Sequence, residues 1–178
     1  MPRPPFVRHV TELPSSRETY PGDDEPMSIG TPLSRPLGLT RMGIHHERLP
    51  PGSRTSWPHA ESLEEEFAYV LEGTPDVWID GEVHRLRPGD AIAFVPGTGI
   101  AHTFINDTVE DAVLLVVGEK LSENRIHYPS RPEGYQGMKP ENRWLDVPER
   151  KRGAHDGVPS MRRKLGVAPS AFPAPLGL

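Results

Sequence analysis

His59, Glu61, Glu66 and His102 are the residues of this sequence whose types and spacing could do chemistry. Imidazole nitrogens and carboxylate oxygens bind divalent metal ions and move protons. In an extended chain, residues two apart share a face and lie about 6–7 Å from each other. His59 and Glu61 therefore point the same way, as do Glu66, Ala68 and Val70, and likewise His102, Phe104 and Asn106. Were these segments to close into a barrel, two imidazoles and one or two carboxylates would meet inside it. Buried ionisable groups are costly unless paired or metal-bound, so a cation is the natural compensation. The sequence has no cysteine, which excludes disulfides, thiolate-held zinc, iron–sulfur clusters and thiol catalysis. Any ion must then be held by nitrogen and oxygen alone.

The elements that must position these residues follow from where the prolines fall. Of 22 prolines, eight lie in residues 1–36, eight in 129–178 and six in the stretch between. Proline removes a ladder donor and is excluded from central strands, so the proline-poor middle is the predicted sheet. Period-two patterning there predicts strands over Leu39–Leu49, Glu66–Leu71, Val77–Ile79, Glu82–Leu86, Ala91–Val95, His102–Asn106 and Ala112–Val117. Asp80-Gly81 suits a tight primed hairpin turn. Regularly spaced short strands without a helical stretch predict an all-β antiparallel sandwich or barrel. The ends read as extended arms: 1–37 before the barrel of 38–118, then 119–165 packing on it, and 166–178 as a disordered tail.

Two stretches carry a resemblance. Gly52, His59, Glu66 and Gly73 match the first motif of the cupin superfamily, with one extra residue before His59 and with Glu61 where the family has its second histidine. Gly89, Asp90, Pro96, Gly99, His102 and Asn106 match the second, with a longer loop before His102. The likeness extends to uncharacterised bacterial single-domain cupins. It implies a cupin-type antiparallel β-barrel (a double-stranded β-helix, or jelly roll), a divalent metal in its interior, and a homodimer. Manganese, iron, zinc or nickel are the candidate ions.

Glu61 departs from the family pattern and leaves alternatives open. As a ligand it would give His59, Glu61, Glu66 and His102 two negative charges and harden the site. Outside the ligand set it would leave a two-histidine, one-carboxylate triad with open positions, and could serve as a general base. Trp57, Phe104, Asn106 and His45 are the candidate substrate contacts; of the adjacent His45 and His46, alternation turns one inward. Glu64 and Glu65 read as solvated surface, and His84 as exposed.

The functional expectation is a metal-dependent enzyme acting on a small polar molecule by dioxygenase, isomerase or lyase chemistry. The alternative is a non-catalytic module that binds or stores a sugar or carboxylate. A formal net charge of −5 gives no reason to expect nucleic acid. The longest apolar run, Ala112–Val117, is too short for a membrane span, and a cytoplasmic location is expected. The basic stretches Arg150–Arg152 and Arg162–Lys164 read either as solubilising surface or as an arm lying over the acidic rim. Gly97–His102 imitates a dinucleotide fingerprint but opens a strand, and no nucleophile elbow is present.

Overall fold

Alternation along the chain produces the expected strands. The computed structural model describes residues 3–164 apart from 22, 24, 26, 132–134 and 136, with the backbone alone at 163 and 164. The tail expected over 166–178 lies outside the described residues. The strands are β1 (Ser16–Arg17), β2 (Ile29–Pro32), β3 (Met42–Leu49), β4 (Ala60–Glu61), β5 (Glu66–Glu72) and β6 (Asp76–Ile79). They continue with β7 (Glu82–Arg85), β8 (Ala91–Phe94), β9 (His102–Ile105), β10 (Ala112–Glu119) and β11 (Ile126–His127), before a short helix α1 (Ser160–Lys164). No helix among the described residues is long and apolar enough to cross a membrane.

One sheet runs β1-β2-β3-β10-β5-β8, a second runs β7-β6-β9, and β11 pairs with β4, all antiparallel. The core lies between the sheets and contains Leu49, Ala68, Val70, Val77, Phe104 and Leu114. Strand β5 shows why register is fixed: Ala68 and Val70 are buried, while Phe67, Tyr69 and Leu71 between and beside them face out. A slip of one residue would exchange the two sets.

The Asp80-Gly81 turn has the predicted left-handed backbone at both residues, with φ of 47° and 92°. It is also a docking point. Gly153 donates its backbone N–H to Asp80 at 2.7 Å, His155 donates to Gly81 at 3.1 Å, and the Arg150 guanidinium reaches the Asp80 carboxylate at 3.0 Å. A Cβ on Gly81 would collide with the Gly153 backbone.

The arms do more than cover the barrel. The N-terminal arm supplies β1 and β2, which extend the large sheet from β3. Its Tyr20 stacks on Trp57 with centroids 4.0 Å apart, in a cluster with Met27 and Tyr128. The C-terminal extension supplies β11 and places Trp144 against Trp78, Ala60 and Ala101. Arg150, Arg152 and Arg162 of the basic stretches take part in this docking, Arg162 lying 2.7 Å from the Glu25 carboxylate.

Glu25 is the knot between the arms. Its side chain is 3% exposed and meets Arg54 at 2.5 Å, Arg162 at 2.7 Å and Arg131 at 3.9 Å. Arg54 is itself 1% exposed and donates to the Gly157 carbonyl at 2.9 Å. Removing one partner of a buried pair leaves an uncompensated charge, so Glu25→Gln is expected to destabilise the fold by about 3 kcal/mol. Asp111→Asn, which breaks the exposed Arg48–Asp111 pair at 2.7 Å, should cost less than about 1 kcal/mol. Urea denaturation of the two variants checks this ordering; equal losses would contradict it.

Candidate metal centre

His59 and His102 are brought together by the backbone. They face each other across an antiparallel bridge, His59 N–H donating to the His102 carbonyl at 3.2 Å and His102 N–H donating back at 2.9 Å. Glu66 opens β5 on the inward face and pairs with Phe94 of β8. Phe94 in turn stacks on the His102 ring, centroids 3.4 Å apart and planes 7° from parallel, which fixes that imidazole.

Ligand-capable atoms of His59, Glu66 and His102 all lie within 4.8 Å of one another. Glu66 Oε2 sits 2.9 Å from His102 Nε2 and 3.8 Å from His59 Nε2. It is buried yet makes no aligned hydrogen bond. The Trp57 carbonyl accepts from His59 Nδ1 at 2.9 Å, so that nitrogen carries a proton and Nε2 is the one turned toward Glu66. An orphaned carboxylate oxygen facing two imidazole Nε2 atoms is a donor set that fits a divalent ion.

The electrostatics favour a cation at this point. Burial opposes charge on His59, but Glu66, Glu61 and the Trp57 carbonyl outweigh it and raise the imidazole to about 9. Burial pushes His102 down despite Glu66. Glu66 is held well below the usual carboxylate range: burial works against the charge, and His102 and His59 overcome it.

Glu61 occupies a different place. Its Oε1 is 3.7 Å from His59 Nε2, but the Asn124 side-chain amide donates to Oε2, and Glu61 falls outside the group of three. Strand β4, pairing Glu61 with Ile126 of β11, holds it there. Burial raises its carboxyl to about 7, with His59 and Asn124 opposing.

A cavity of about 360 Å³ opens onto the three residues. Phe104 and His45, two of the candidate substrate contacts, line it, with Glu64 beside them. Glu64 is thus not the solvated surface residue expected: it is half-buried, and its carboxylate accepts the Leu121 N–H at 2.5 Å. Two expected contacts are displaced into structural roles. Trp57 is 1% exposed and packs under Tyr20 and the Arg131 guanidinium. Asn106 is fully buried, donating to the carbonyls of Leu49 and Glu110 at 2.7 Å each and accepting from Thr108. Neither lines the cavity, because packing and backbone satisfaction consume both side chains. His84 is exposed, as expected.

Sequence reasoning missed Glu47, Thr55, Ser56 and Lys120, all on the cavity wall. Glu47 was within reach of it: two residues after His45 on β3, it must share the inward face.

The comparisons agree with this geometry. The model of the cupin domain matches residues 45–118. Among solved structures, a protein of Acidithiobacillus ferrooxidans provisionally named a sugar phosphate isomerase is 26% identical with a TM-score of 0.65, covering 70% of this chain and 81% of that one. A cupin-superfamily sugar phosphate isomerase of Silicibacter pomeroyi is 30% identical with a TM-score of 0.56, covering 64% of this chain and 77% of its own. A polyketide cyclase of Streptomyces resistomycificus, 24% identical with a TM-score of 0.58, covers 76% and 94% and shares the fold. No curated protein matches the sequence. With paired histidine and glutamate ligand candidates inside an antiparallel barrel and relatives of this kind, the chain belongs to the cupin superfamily.

Proposed function

We propose that the protein is a divalent-metal-dependent enzyme acting on a small hydroxylated carbonyl compound, with isomerisation favoured over dioxygenase or lyase chemistry. The observation that carries this reading is the convergence of two imidazoles and one carboxylate on the wall of an open cavity. Two neighbours of at least 25% identity, both named for sugar phosphate isomerisation, support the choice of reaction.

His59, Glu66 and His102 would hold the ion, and two nitrogens with one oxygen accept manganese, iron, zinc or nickel. When bound, the metal supplies Lewis-acid polarisation of a substrate oxygen. The chain's own residues do the rest. Trp57 and Phe94 hold the two rings in the orientation that aims Nε2 inward. Thr55, Ser56 and Glu64 offer hydrogen bonds to substrate oxygens along the wall, while Phe104 and Val116 give it an apolar side. A binding or storage module would use the same ion to grip a ligand and needs no group able to exchange protons. The carboxyl of Glu64, half-buried at the cavity wall and raised by burial, is such a group and favours the enzyme.

Two outcomes test the metal assignment. Elemental analysis and metal titration of His102→Ala, and of the gentler Glu66→Gln, should each show affinity reduced by about ten-fold or more. Retention of wild-type affinity in both would sink the site. Glu61→Gln, by contrast, is expected to keep the wild-type metal content; a loss as large as that of Glu66→Gln would make Glu61 a ligand.

A further inference from the structure

We propose that the cleft walled by the N-terminal arm is the second half of this site, built for the polyhydroxylated chain of the substrate, with Glu47 as its gripping group. This rests on the metal-site reading for where the reactive end of the substrate lies. The cleft is a cavity of about 530 Å³ between β1, β2 and β3. It shares His45, Glu47, Thr55 and Lys120 with the cavity of the metal centre, so the two spaces adjoin along one wall. Together they exceed what a small metal-bound head group fills.

The lining selects the ligand chemistry. Two carboxylates, Glu18 and Glu47, face two cations, Arg35 and Lys120, so the cleft carries no net charge. Neither an anion nor a cation is favoured as the body of the ligand. Ser16, Thr19, Ser28 and Ser34 add hydroxyls to the wall. A surface holding fixed acceptors, fixed donors and rotatable hydroxyls is complementary to groups that both donate and accept, and a chain of hydroxyls is such a ligand.

Glu47 is positioned for this work by the arm. The Ser28 hydroxyl of the arm donates to Oε2 at 2.6 Å. Oε1 lies 3.6 Å from His45 Nδ1. Gly30 of β2 sits opposite Glu47 in the ladder, and a Cβ there would come within 3.0 Å of Oε1. The glycine leaves the space that the carboxylate occupies, although its own backbone makes no demand for glycine by positive φ. The Glu47 side chain is 14% exposed, and burial raises its carboxyl. A carboxylate buried at this depth, oriented by one serine and given room by one glycine, has an oxygen left for a ligand hydroxyl.

Isothermal titration of the manganese-loaded full chain tests the proposal with three probes. D-gluconate joins a carboxylate head to a hydroxylated chain, hexanoate has a chain of the same length without hydroxyls, and acetate is the head alone. Gluconate is expected to bind about ten-fold tighter than hexanoate and acetate, the size of one hydrogen bond to a charged group. Glu47→Gln, and separately Gly30→Val, should erase that preference while manganese content and acetate affinity stay at wild-type levels. Equal binding of gluconate and hexanoate by the wild type, or a preference that survives in Glu47→Gln, overturns the proposal. The gluconate preference should persist, at lower affinity, in chelator-treated protein, since no cleft residue is a proposed ligand. A chain that takes up no manganese therefore defeats the metal reading alone, and one that takes it up without preferring hydroxyls defeats this proposal alone.

Discussion

The antiparallel bridge between His59 and His102 is the constraint on which the rest of the site depends. Two backbone hydrogen bonds set the spacing of the imidazoles before any side chain is chosen. Once the rings stand opposite each other, a carboxylate at the first residue of β5 completes the group, because β5 and β8 pair so that Glu66 adjoins Phe94. Phe94 then holds His102 by stacking. Each ligand candidate is thus fixed by a sheet ladder, an aromatic face or a backbone carbonyl. None depends on a long side chain finding its own conformation.

Two of the carboxylates drawn in from solvent, Glu25 and Glu66, are treated differently, and the contrast separates architecture from chemistry. Glu25 is surrounded by arginines, which stay charged at any ordinary pH and cannot act as metal ligands. That arrangement ties arm to barrel. Glu66 is surrounded by histidines, which exchange protons and bind metals. The same desolvation cost is offset in one case by permanent cations and in the other by groups that can be replaced by an ion. The choice of partner, not the burial, marks the functional site.

What was legible in the sequence follows from length and repetition. Strands of four or more residues with clean alternation, such as β5, show their inner face directly, and the motif residues His59, Glu66 and His102 met as expected. The two-residue strands β1, β4 and β11 carry too little pattern to see, yet β4 and β11 decide where Glu61 points. Spacing put Glu61 on the face of His59, correctly, but the amide that takes its oxygen comes from Asn124, more than sixty positions along the chain. The packing of Asn106 and Trp57 was out of sight for the same reason. A polar or aromatic side chain near a motif reads as a contact for a ligand, and only the fold reveals that the Leu49 and Glu110 carbonyls, or a stacked Tyr20, already occupy it.

The proline-rich arms gain a different meaning from this. Proline reads as a signal for extended arms, and the N-terminal one adds two strands at the edge of the large sheet. Yet Pro32 ends β2 at the edge of its pairing with β3, where a missing N–H is tolerated, and the strand before it carries the serine and glycine neighbourhood of Glu47. A barrel alone supplies a metal-binding interior that many unrelated reactions can use. The arm adds a cleft wall to that interior. On the proposed reading, selectivity for a ligand is a property of the arm packed against the barrel, carried by Glu47, Ser28 and Gly30 outside the family's motifs.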